Sequence, residues 1–171
     1  MNMKKQYRKT YKIYQAKLSS LPTVVRDTNY NLITAEHSKY NCMSYALGLF
    51  DQWCYLDAFD DAFNDAGCGV IDYEQLDKIF TECCIELEKK FHLRRLISSE
   101  EKLNTNERMI AFRIGADDFH FVRQNSDGTW THKPGTMYVR EMDKEELFSN
   151  AWGTSRKYPY ISEIAFFAVK M

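Results

Sequence analysis

Three side chains in this sequence have the types and the order that nucleophilic chemistry on a carbonyl needs. Cys42 lies in Asn41-Cys42-Met43-Ser44-Tyr45-Ala46-Leu47-Gly48, His120 in Asp118-Phe119-His120-Phe121-Val122-Arg123, and His132 follows His120 by twelve residues. A thiol attacks as the thiolate, and the first turn of a helix stabilises one through its unpaired N–H groups and positive dipole end. The same N–H groups can receive the oxyanion of a tetrahedral intermediate. An imidazole beside the thiol can take its proton and return it to a leaving amine. A second imidazole can orient the first and fix its tautomer. Each residue taken singly has a plainer account. A buried cysteine is a small apolar group, a histidine between aromatics is a satisfied structural residue, and His132 is an exposed strand residue.

The elements around these residues decide whether they can meet. Asn41 can cap a helix over residues 42–52, with Met43, Ala46, Leu47 and Phe50 as its apolar face. Alternation over 119–124 reads as a strand, with Phe119 and Phe121 on one face and Asp118, His120 and Val122 on the other. Residues 129–133 read as its hairpin partner across Asn125-Ser126-Asp127-Gly128. A three-residue loop ending in a left-handed Gly128 would put His120 and His132 on one face, opposite or diagonal to each other. A two-residue Asp127-Gly128 turn would put them on opposite faces. Cys42 is therefore expected to be a nucleophile on two conditions: the loop is odd, and the face carrying both histidines looks at the helix start.

A cysteine at a helix start, a histidine on a later strand and a second histidine twelve residues on resemble the NlpC-type cell-wall peptidases of the papain-like superfamily. The resemblance covers residues 40–50 and 108–134. It implies a papain-like fold, with Cys42 as nucleophile, His120 as base and His132 as the polar orienting residue. Tyr40 would stand in for a tyrosine that assists the oxyanion in that family. The chain departs from the family's Asp-Cys-Ser-Gly, having Asn41-Cys42-Met43-Ser44, and carries Phe121, Val122 and Arg123 where small residues follow the histidine. Asn41, Trp130 and Lys133 complete the oxyanion and substrate candidates.

The rest of the chain reads as α+β, helices first and antiparallel strands after, in one domain over 1–171. An N-terminal extension (1–40) contains a basic helix over 3–19 with Tyr7, Tyr11, Tyr14 and Leu18 along one side. A helical part (41–92) holds the nucleophile, a short acidic helix over 55–66 and a long helix over 72–91. The stripe of that long helix is Leu76, Ile79, Phe80, Cys83, Leu87 and Phe91. A sheet part (93–171) has strands at 93–98, 108–114, 119–124, 129–133 and 161–169, with a short helix at 143–148.

Composition narrows the function classes. Apolar residues at 44% exclude a disordered chain, and a net charge of −1 gives no bulk attraction to nucleic acid. Five cysteines, an odd number, argue for reduced thiols and against a disulfide framework. No apolar run approaches the roughly 20 residues of a membrane span, and no signal peptide is evident, so a cytoplasmic chain off the membrane is expected. Asp57, Asp60, Asp61 and Asp65 read as a solvated face or as a site for a cation or basic partner. Cys83, Cys84 and His92 lack metal-ligand spacing, and neither metal nor cofactor is expected. The resulting expectation is a thiol hydrolase acting on an amide (peptidase, amidase or deamidase) through a Cys-His-His triad. The alternative is a non-catalytic binding or inhibitor protein, phage-encoded or host-directed, with a papain-like or other α+β fold.

Overall fold

Alternating apolar residues build one antiparallel sheet whose two faces are both covered. The computed structural model describes residues 39–171, apart from 68 and 136–138. The strands are β1 (Arg94–Leu96), β2 (Glu107–Ile114), β3 (Phe119–Gln124), β4 (Trp130–His132), β5 (Arg140–Met142) and β6 (Ala165–Lys170). Their order in the sheet is β1-β6-β2-β3-β4-β5, so the last strand of the chain enters between the first two. Along β2, Ile110, Phe112 and Ile114 enter one apolar cluster while Met109 and Ala111 enter the other. That is the period of two expected of a strand covered on both sides.

Three helices cover the first face: α1 (Cys42–Leu47), α2 (Asp57–Asp65) and α3 (Leu76–Lys89), the last entered through a 3-10 turn at Tyr73–Gln75. The stripe of α3 packs on β2, with the Phe80 ring stacked 5.7 Å from Phe112 and Phe112 4.6 Å from Phe121. Asp72 starts this helical stretch by accepting from Glu74 N at 3.1 Å. The second face is covered by α4 (Lys144–Leu147) and the irregular chain around Trp152 and Tyr160. Among the described residues, no helix is long and apolar enough to cross a membrane.

Helices followed by an antiparallel sheet agree with the α+β expectation, with differences that have local causes. Helix α1 stops at Leu47 instead of 52. Gly48 takes a left-handed φ of 79° and turns its N–H back to the carbonyls of Ser44 and Tyr45, a glycine stop that the apolar periodicity through Phe50 conceals. The final strand begins at Ala165 instead of 161. Ile161 and Ser162 instead turn both their N–H groups onto the Ile114 carbonyl, at 3.0 and 3.1 Å. Strand β5 is not foreseen; three residues are too few to show a period. The cysteines of the Cys83-Cys84 pair are buried, and the Cys84 sulfur accepts from Arg95 Nη1 at 3.0 Å. The helix expected over 3–19 lies outside the described residues.

Candidate functional site

The hairpin that carries the histidines has the odd loop. Gln124 pairs with Trp130, Asn125 N donates to Thr129 O at 2.8 Å, and Gly128 has φ 85°. Ser126, Asp127 and Gly128 thus form a three-residue loop with glycine in the left-handed position. Asp127 Oδ1 fastens the turn by accepting from Thr129 N and Oγ1, at 3.0 and 2.7 Å. Val122 lies opposite His132, so His120 is its diagonal neighbour on the same face. The rings meet edge to face, His120 Nε2 to His132 Nδ1, at 2.7 Å.

Hydrogen-bond direction then assigns the protons. Arg140 Nε donates to His132 Nε2 at 2.8 Å, and an arginine cannot accept. Neutral His132 therefore carries its proton on Nδ1 and gives it to His120 Nε2, which leaves the proton of neutral His120 on Nδ1. Both rings are held neutral. Burial, then the His132, Arg156 and Arg140 charges, push His120 well below the usual histidine range. Burial and Arg140 push His132 down to about 3.

Aromatic packing fixes the His120 ring from both sides. Tyr160 stacks on it at 5.2 Å and Trp152 meets it edge-on at 6.2 Å. The Tyr160 hydroxyl donates to Asp118 Oδ2 at 2.8 Å, and Arg156, lying over the Tyr160 ring, pairs with Asp117 and Asp118. Trp152 is anchored by its indole N–H on Leu147 O, at 2.8 Å, and by the buried Arg113 guanidinium, 5.4 Å from its ring. Arg113 in turn reaches Ser162 O and Ser149 O at 2.7 and 2.9 Å. A cavity of about 430 Å³ opens here, lined by Asp118, both histidines, Arg140, Trp152 and Tyr160 among others.

Cys42 approaches from a different direction than expected. Asn41 caps α1, its Oδ1 accepting from Ser44 N at 3.0 Å, while its Nδ2 donates to Cys54 O at 2.7 Å. Met43 and Ala46 carry α1 onto the face of Phe119 and Phe121, and Tyr45 reaches Thr131 Oγ1 at 2.8 Å. Helix α1 therefore covers the face opposite the histidines, and the expectation that the histidine face looks at the helix start is corrected. The thiol instead meets a strand edge. It donates to Phe119 O at 3.8 Å and takes a backbone hydrogen bond from Phe121. Those groups lie on the side of β3 that pairs with β4, as the Asn125–Thr129 bond fixes. Strand β4 ends at His132, so among the described residues no strand pairs with this length of edge. The sulfur sits on it between the two residues that flank His120.

Burial, and next the Asp118 charge, push the Cys42 thiol up to about 12; Lys133 pulls the other way. Lys133, itself brought down to about 8 by burial, holds its ammonium 4.7 Å from the Tyr40 ring and donates to Gly135 O. Tyr40 and Lys133 thus stand on the thiol side of the sheet. Both ends of the Asn41 carboxamide are taken by the fold. Trp130, expected at the substrate, is corrected to core: it packs against Phe166 and does not line the histidine cavity, where Trp152 does. Arg140, Trp152, Arg156 and Tyr160 escape sequence reading because they sit on short or irregular segments without a period. The one available signal is Arg113, a charge that follows the apolar Met109 and Ala111 on the histidine face of β2.

A larger hollow, about 910 Å³, lies between α2 and α3 and includes Asp61 and Asp65 of the acidic run. Asp57 of that run pairs with Lys90 at 2.7 Å. Among the described residues, no three His, Cys, Asp or Glu side chains are placed to hold a metal ion.

A family model described as Domain of unknown function (DUF7689) matches residues 31–159. The chain belongs to that family. The DUF7689 span includes Cys42, His120, His132, Arg140, Trp152 and Arg156 and ends one residue before Tyr160. No curated protein and no solved structure matches the chain.

Proposed function

We propose that this DUF7689 chain is a thiol hydrolase acting on an amide, with Cys42 as nucleophile, His120 as base and His132 as the residue that orients the base. The helix start does not look at the histidine face, and the observation that carries the reading is instead the thiol on the edge of β3, between the residues flanking His120, while His132 occupies His120 Nε2. The ring nitrogen left for the thiol is Nδ1, the one nearer the His120 backbone. In the reaction, once His120 has passed from its resting tautomer to the one with Nδ1 unprotonated, Cys42 Sγ gives its proton to His120 Nδ1 as it bonds to the carbonyl carbon. The imidazolium protonates the leaving amine as the C–N bond breaks, and water then hydrolyses the thioester. A thiol pushed up to about 12 is uncharged at rest, so proton removal accompanies attack. Lys133, electrostatically coupled to Cys42, favours the developing negative charge. This division of labour is the papain-like one that the sequence resembles.

The test is alkylation by iodoacetamide at neutral pH, read by mass spectrometry. Selective modification of Cys42, lost in His120→Ala, is the expected result. Equal labelling of all five cysteines, or none at Cys42, would overturn the reading. A second reading, a binding protein whose thiol is inert, draws on the burial of Cys42, 5% exposed. It predicts that Cys42 stays unlabelled in the folded chain while its other cysteines react only on unfolding.

A further inference from the structure

Hydrogen bonds run one way through Arg140, His132 and His120, and the direction is the wrong one for a base at His120 Nδ1. With Arg140 Nε on His132 Nε2 and His132 Nδ1–H on His120 Nε2, neutral His120 presents a proton at Nδ1 where a base must present a lone pair. The opposite polarity needs His132 Nε2 free of the arginine. Arg140 is exposed, lines the histidine cavity, and is paired with no carboxylate among the described residues. Of the other charged groups lining the cavity, Asp118 is held by Tyr160 and Arg156, and Glu146 stands on α4.

We propose that Arg140 is a positioning residue that holds the two imidazoles in a resting tautomer, and that a carboxylate on the substrate releases them by drawing Arg140 off His132. This rests on the hydrolase reading and adds to it a substrate class: an amide whose chain also carries a carboxylate. The protons balance. His120 loses its Nδ1 proton to water, the His132 Nδ1 proton crosses to His120 Nε2, and a proton from water arrives on His132 Nε2. His120 Nδ1 is then a lone pair able to accept the thiol proton, and His120 Nε2–H donates to His132 Nδ1. The guanidinium is suited to the trigger because its planar fork matches a carboxylate better than one imidazole nitrogen does.

Nitrogen-15 spectra of the histidine rings report the tautomers directly. In the unliganded chain His132 is expected to be protonated on Nδ1. In Arg140→Leu it is expected on Nε2, while Arg140→Lys, which keeps a cationic donor, retains the Nδ1 form. Titrating the wild-type chain with N-acetylalanine is expected to convert His132 saturably to the Nε2 form, and its uncharged amide, N-acetylalaninamide, is expected to leave it unchanged. Iodoacetamide labelling of Cys42 in Arg140→Leu should rise on the order of tenfold, within the range a positioned base supplies. An Nε2-protonated His132 in the resting chain, the same tautomer in wild type and Arg140→Leu, or no conversion by N-acetylalanine would each overturn the proposal. If the tautomers fail to respond while Cys42 labelling still depends on His120, the positioning role falls and the hydrolase reading stands. If labelling of Cys42 is absent in every variant, the hydrolase reading falls.

Discussion

A buried pair of neutral imidazoles makes the stability of this chain depend on pH in a particular window. His120 and His132 are each about 3% exposed and held below the ordinary histidine range, His132 at about 3. In the unfolded chain both take up protons near pH 6.5. The unfolded state therefore binds more protons below that point, and stability falls as pH falls. The contribution is complete above about 6.5 and is lost progressively toward the folded values. Each histidine is expected to supply a slope of about 1.4 kcal/mol per pH unit while its unfolded form is protonated and its folded form is not. Urea unfolding from about pH 7.5 down to 5, above the main carboxylate range, measures it. The His132→Asn variant should show roughly half the wild-type slope. A flat profile in wild type would mean that the histidines are not buried as neutral rings.

At the scale of elements, the site depends on a close approach between the end of β2 and the segment that delivers Tyr160. A Cβ on Gly115 would stand 2.7 Å from Pro159 O and 3.4 Å from Tyr160 Cα. Gly115→Ala must push that segment away, and with it the ring stacked on His120. The expected cost is about 1–3 kcal/mol, as for other overpacked contacts. Gly128→Ala meets nothing within 4 Å but holds φ 85°, and should lose about 1–2 kcal/mol by backbone strain alone. Urea midpoints read both. Wild-type stability in Gly115→Ala would remove the packing argument for how Tyr160 is placed. The same elements show what could be read from sequence. Strand β3 is legible to the residue because Phe119 and Phe121 flank His120 with period two and Asn125 opens the turn, and the hairpin loop follows from Gly128. The Asn41 cap is legible because its carboxamide is the local acceptor for a helix N–H. Contacts such as Pro159 on Gly115, Trp152 on His120, and Arg140 on His132 are not. They join segments without a period, and the closeness of Gly115 to Pro159 is a tertiary fact that a lone glycine does not announce.

At the scale of the whole molecule, the two faces of the sheet are expected to form one cooperative unit. Strands β2, β3 and β6 send alternate residues into both clusters: Phe112, Phe121 and Phe167 under the helices, and Ala111, Val122 and Ala168 under Trp152 and Tyr160. Neither covering layer can leave without exposing one side of the same strands, and those strands fix both the edge that meets Cys42 and the face that carries His120. The two layers have separate probes. Trp130 and Trp152 lie on the histidine face, and α1, α2 and α3 lie on the other. The third tryptophan, the 40% exposed Trp53 next to Cys54 of the helix-side cluster, is replaced by Phe so that fluorescence reads the histidine face alone. Tryptophan fluorescence and helical circular dichroism should therefore trace the same denaturant transition. Phe112→Ala, removing a ring packed against Phe80 and Phe121 on the helix side, is expected to cost about 3–5 kcal/mol. Because the strands are shared, it should lower the midpoints of both probes equally and leave the slope m unchanged. A fluorescence transition that stays in place while the dichroism shifts would show that the histidine face holds without the helices. In that case the thiol and the imidazoles would belong to separately folding halves, and their alignment would depend on a docking step instead of a common sheet.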